Sequence, residues 1–67
     1  MMLYPICLPA PTPTWIVAAP TADYRPVTCS LVGDAVYFPQ DDAANLVRQL
    51  RAHGVDCFVD IKNGVPK

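Results

Sequence analysis

The chain contains no glutamate. Its six acidic residues are all aspartates, set against five lysines and arginines, for a net charge of −1. No basic stripe is present to attract phosphates, so direct nucleic-acid binding by charge is disfavoured. The acids are equally scattered, which argues against a dense acidic face that imitates DNA. Glycine is scarce as well: Gly33, Gly54 and Gly64 each stand alone. A phosphate cradle needs clustered glycines leading into a helix, and no such cluster occurs. No apolar run approaches the ~20 residues that span a bilayer as a helix. The opening residues, Met1 to Cys7, lack the positive start and unbroken apolar stretch of a signal peptide. The expected location is the cytoplasm, with no membrane partner.

The side chains that usually carry chemistry are also few. Cys7, Cys29 and Cys57 are odd in number and widely spaced, a poor disulfide framework, so free thiols in a reducing compartment are expected. Structural zinc sites pair their ligands at short spacing, which these cysteines and the single His53 do not offer. His53 and Cys57 flank Gly54, but Cys57 falls on the buried side of an expected strand, where a thiol behaves as a small hydrophobe. Asp56 and Asp60 share a strand face, yet four residues of strand separate them by ~13 Å. That is too far for an acid–base pair. Neither a catalytic role nor a cofactor or metal is expected.

Apolar residues, by contrast, are abundant: 52% of the chain against 16% charged. This is too apolar for a disordered chain. With 67 residues the chain is one domain near the lower limit for folding alone. So small a body cannot hide all its apolar surface, and an exposed patch marks a partner or a self-contact.

Prolines divide the chain. Pro5, Pro9, Pro11 and Pro13 make residues 1–13 read as a proline-rich arm, extended between 9 and 13, that packs over the domain or stays loose. Residues 14–67 are then the single folded domain. Residues 14–19 read as a strand, ended by Pro20, and residues 21–24 as a connector. Residues 27–32 alternate as a second strand, with Val27, Cys29 and Leu31 on one face. Gly33-Asp34 is expected to turn the chain tightly into a third strand over residues 35–38.

The strongest signal lies in residues 40–61. Ala43, Leu46, Val47 and Leu50, with His53 at the margin, recur at helical spacing. Asp41 is the expected N-cap, Asp42 complements the helix dipole, and Gly54 provides the left-handed stop. Residues 55–61 then alternate as a strand, with Val55, Cys57, Val59 and Ile61 toward the helix. Residues 42–61 resemble the helix–strand half of small ferredoxin-like and peptidoglycan-binding repeat domains. That pattern covers about twenty residues without a signature motif, and no function follows from it.

The expected architecture is α+β: a small mixed sheet of three or four strands with one amphipathic helix on one face, in the order β-β-β-α-β. The last crossover would be parallel and right-handed. The far face then has no second layer. Asp56, Phe58 and Asp60 are expected to point to that face, joined by Tyr37 or else Phe38 depending on register, while Trp15 can land on either side. Trp15, Tyr37, Phe58, Asp56 and Asp60 are the expected contact residues, with Arg48 and Arg51 as a second patch. The function expected from these features is non-enzymatic. The chain would bind and modulate a larger protein or ribonucleoprotein complex as an inhibitor or adaptor. Phage and mobile-element proteins directed at host defence, such as anti-CRISPR proteins, are one such class. The alternatives are a homodimer through the open sheet face and a single-stranded nucleic-acid binder stacking bases on the aromatics.

Overall fold

The helix follows from local sequence, and the rest of the fold is arranged around it. The computed structural model describes residues 1–18, 23 and 25–67. Helix α1 spans Gln40–Ala52. Its Ala43, Val47 and Leu50 are buried and Leu46 packs against the core, so the apolar stripe is as expected apart from the exposed His53. Asp41 is not the N-cap. Pro39 holds that position, with no side-chain hydrogen bond, and Asp41 and Asp42 both lie in the first turn. There they favour the positive end of the helix dipole. The far end matches the sequence reading. Gly54 has φ 85°, the Gly54 N–H donates to the Arg51 carbonyl and the Val55 N–H to the Leu50 carbonyl, each at 3.0 Å. These paired bonds are the Schellman stop, and a half-buried Val55 supplies its apolar contact.

Seven short strands surround α1 among the described residues: β1 Met2–Tyr4, β2 Ile6–Leu8, β3 Thr14–Ile16, β4 Thr28–Cys29, β5 Phe38–Pro39, β6 Phe58–Val59 and β7 Val65–Pro66. They form two sheets, ordered β5-β1-β7 and β4-β3-β2-β6, and every pairing is antiparallel. The α+β class with one helix therefore holds, while the single mixed sheet with a parallel crossover does not. β5 and β6, the strands either side of α1, sit in different sheets.

The proline-rich arm is the largest departure. Residues 2–8 are inner strands of both sheets. Pro5 is fully buried where the chain passes from one sheet to the other. At that switch its carbonyl accepts from the Asp60 N–H at 2.9 Å. The proline run 9–13 is the loop of the β2–β3 hairpin, whose register pairs Leu8 with Thr14 and Cys7 with Trp15. The Ala10–Pro11 bond is cis. Both outer strands of the smaller sheet carry a proline, Pro39 and Pro66, where the lost donor points away from β1 or into solvent. The Lys67 N–H donates to the Met1 carbonyl at 2.8 Å, closing that sheet at its end.

The hairpin expected at Gly33-Asp34 is absent. Val32–Asp34 forms a 3-10 helix, and Gly33 lacks the positive φ that a tight hairpin turn would need. Cys29 and Phe38 consequently diverge into different sheets. The end of the first expected strand at Ala19, its Pro20 stop and most of the connector 21–24 lie outside the described residues.

The core lies between α1 and the four-stranded sheet. Ile6, Ile16, Ala43, Leu50 and Cys57 are completely buried, with Val47 nearly so and Leu8, Phe38, Leu46, Val55 and Val59 packed around them. Ile61 does not join them. The strand, expected over 55–61, is only Phe58–Val59; the carboxylate of the next residue, Asp60, accepts from the Asn63 N–H at 3.3 Å and caps a 3-10 helix at Ile61–Asn63, leaving Ile61 exposed. Gly64 follows because the Tyr4 ring lies against it: a Cβ there would come within 2.5 Å of that ring. No described helix is long and apolar enough to cross a membrane.

Candidate interaction face

Directly opposed residues of an antiparallel sheet share a face. The registers Trp15↔Cys29, Cys7↔Trp15 and Cys7↔Phe58 therefore set Cys29, Trp15, Cys7 and Phe58 in one row across the four strands. The alternate residues, Ile6, Ile16 and Val59, point to α1. The row thus lies on the sheet face away from the helix, the face expected for Phe58, and it settles Trp15, whose side the sequence leaves open, on the same face.

This face is not bare. The Trp15 Nε1–H donates to Asp60 Oδ2 at 2.8 Å. Trp15 is on β3 and Asp60 immediately follows β6, with β2 between them. To make this bond the indole must reach across β2 over Cys7, which explains why Cys7 is only 4% exposed on a face without a helix. Asp60 was expected to point outward as a contact residue. It is instead 6% exposed, the buried charged residue among those described. The same Oδ2 accepts from Asn63 Nδ2 at 2.7 Å, and Oδ1 from the Asn63 N–H. Burial pushes the Asp60 carboxyl up, but the hydrogen bonds from Asn63 and Trp15, with Lys62 nearby, outweigh it and hold the group below its ordinary value.

Phe58 stands at the end of the row, 40% exposed on the sheet's last strand. Asp56 is exposed one alternation before it. Tyr37 is half-buried and donates its hydroxyl to the Val32 carbonyl at 3.0 Å, tying it to the 3-10 helix rather than to this row. Arg48 and Arg51 belong to a separate surface on α1, where Arg51 Nε donates to the Cys57 carbonyl at 2.9 Å.

Two of the thiols, those of Cys7 and Cys57, are poorly placed for nucleophilic work. Burial pushes Cys7 up, reinforced by the Asp60 charge. Burial also pushes Cys57 up, with Arg51 opposing and Asp56 adding to it. A nucleophilic cysteine needs the opposite shift. Cys29 Sγ sits 3.2 Å from the Leu31 carbonyl and 3.5 Å from that of Trp15. Among the described residues no three His, Cys or Asp side chains converge to hold a metal ion.

Sequence reasoning missed Cys7, assigned to the arm, and the Trp15–Asp60–Asn63 cluster. Two signals pointed to the cluster. An aspartate three residues before an asparagine is a turn-capping arrangement. A tryptophan in a small sheet protein needs an acceptor for its N–H when buried. The chain matches no protein-family model, no curated protein and no solved structure.

Proposed function

We propose that this chain is a small non-enzymatic interaction protein that binds and modulates a larger protein or ribonucleoprotein complex, as an inhibitor or adaptor. The observation that supports this reading is Phe58. It is a large aromatic, 40% exposed, on an outer strand, beside an indole that is itself fixed by a buried carboxylate. Rigid aromatic anchors of this kind dominate interface energetics, because little side-chain freedom remains to be lost on docking. Exposed Asp56 beside it would supply a polar rim. A place among phage or mobile-element proteins that act on host defence, such as anti-CRISPR proteins, is compatible with the size of the chain and this ready-made face.

The test is a pull-down from the native host with the wild-type chain and Phe58→Ala, after both are shown to melt cooperatively. The reading expects a partner retained by the wild type and lost by the variant. Recovery of the same partners by both would sink it.

A second reading is self-association. Apolar side chains are also exposed beside β4: the Val27 carbonyl accepts from the Val17 N–H, and Leu31 lies just beyond. Sedimentation at micromolar concentration separates the two. A dimer broken by Leu31→Asp and untouched by Phe58→Ala would favour this alternative, and a monomer at all concentrations would reject it.

A further inference from the structure

The outer edge of β6 and the adjoining surface of α1 form a second site, on the opposite side of the sheet from Phe58. In an antiparallel ladder, residues that exchange main-chain bonds alternate with residues that do not. The Asp60 N–H bonds Pro5, and the register pairs Phe58 with Cys7 and Val59 with Ile6. Phe58 and Asp60 thus turn their main-chain groups toward β2, and Cys57 and Val59 turn theirs outward. β6 is the last strand of its sheet, so no described strand lies beyond it. The outward Cys57 carbonyl is taken by Arg51 Nε at 2.9 Å. The N–H and carbonyl of Val59 are the next outward pair.

Beside that edge runs an open cleft of about 370 Å³ lined by Ala44, Val47, Arg48, Arg51 and Val59. Its floor is aliphatic and its wall carries two guanidinium groups. Ala44 and Arg51 lie two turns apart, ~10 Å along the helix axis, which matches about three residues of extended chain. Neither arginine has a carboxylate partner among the described residues, where the ion pair present joins Arg25 to Asp23. The bond from Nε to Cys57 also fixes the Arg51 guanidinium, so its two terminal amino groups are held ready for a planar anion.

The geometry points to an extended, acidic segment of a partner polypeptide that adds as a strand to the β6 edge. Its main chain bonds the Val59 N–H and carbonyl, its apolar side chains rest on Val47 and Val59, and a carboxylate sits between Arg48 and Arg51. The occupant is acidic because both fixed charges at the cleft are positive. It is extended because the available main-chain groups are those of a strand edge.

The experiment titrates the ¹⁵N-labelled full chain with a capped pentapeptide Val-Thr-Val-Thr-Asp, whose valines and aspartate share the face turned to α1, followed by two-dimensional NMR. The expected result is a saturable shift of the Val59 amide, at least tenfold weaker binding to Arg48→Ala, and no saturation with a peptide carrying lysine in place of aspartate. Arg48 is an exposed helix position, so its variant keeps the fold. Phe58→Ala should bind the peptide as the wild type does, which separates this site from the Phe58 face. No saturation at millimolar peptide, equal binding of the lysine peptide, saturation by sodium acetate with equal affinity, or shifts confined to Trp15 and Phe58 would each overturn the inference.

Discussion

The two faces of the four-stranded sheet are closed in different ways. Toward α1, Ile6, Ile16 and Cys57 meet Ala43, Val47 and Leu50 in an apolar layer with no exposed member. On the other side, one indole bonded to one carboxylate covers Cys7, and Phe58 is left in solvent. The first closure is non-directional and shared among many side chains. The second is directional and depends on a few groups. The helix side therefore fixes that the chain folds, while the indole side fixes the shape it presents.

The contrast can be broken from either side, beginning with the larger effect. Leu50→Ala empties the centre of the helix side and should cost ~2–5 kcal/mol, read from urea unfolding. For a domain this small that loss approaches the whole stability, so a fall in the folded fraction without denaturant is expected. A cost of a few tenths would mean that α1 is not the main closure.

Trp15→Phe replaces the indole with a smaller aromatic ring and removes the N–H that bonds Asp60. Leaving a buried carboxylate short of a donor should cost ~1–3 kcal/mol, and the Cys7 thiol should become more reactive toward a disulfide reagent. In the wild type, Cys29 should react first, because Cys7 and Cys57 are buried. Equal labelling of all three thiols would show that the indole does not cover Cys7.

Acid sharpens the same comparison. The folded Asp60 carboxyl lies below its unfolded value, so its contribution to stability is present above the ordinary carboxylate range and fades as pH falls through the folded value. Urea midpoints should therefore drop below pH ~4, and Asp60→Asn should flatten that dependence while lowering stability at neutral pH. An acid slope unchanged in the variant would assign the effect to the other aspartates. The smallest stability effect is expected for Phe58→Ala. Its ring is only partly buried, so the loss should stay under ~1.5 kcal/mol, checked by thermal melting beside the binding test. A larger loss would make Phe58 a core residue and remove it from the interaction face.

What the sequence shows and what it hides divides along the same line. The helix, its apolar stripe and its Gly54 stop are readable because they depend on neighbours within a few residues. The face assignment of Val55, Cys57 and Phe58 follows equally from strand alternation. Residues 1–13 are misread because proline rules act locally, while the place of β1 and β2 depends on partners far along the chain: Val65, Phe38 and Phe58. Only Pro5 interrupts residues 2–8, and it does so at the one point where the chain changes sheets. Asp60 is misassigned for a related reason. Alternation places it on the correct face, but its burial comes from Trp15, a partner 45 residues away. Trp15 falls in the same row as Phe58, a side the sequence leaves open, whereas Tyr37 is held by Val32 through a turn that replaced the expected hairpin.

The chain has a single tryptophan, so its indole N–H gives one resonance in a proton–nitrogen NMR spectrum. If Trp15 closes the far face through Asp60, that proton exchanges slowly with water at neutral pH. Its shift then follows an acid titration with a midpoint below that of free aspartate, and Asp60→Asn abolishes the titration. A rapidly exchanging indole with a solvent-like shift indifferent to pH would contradict the account.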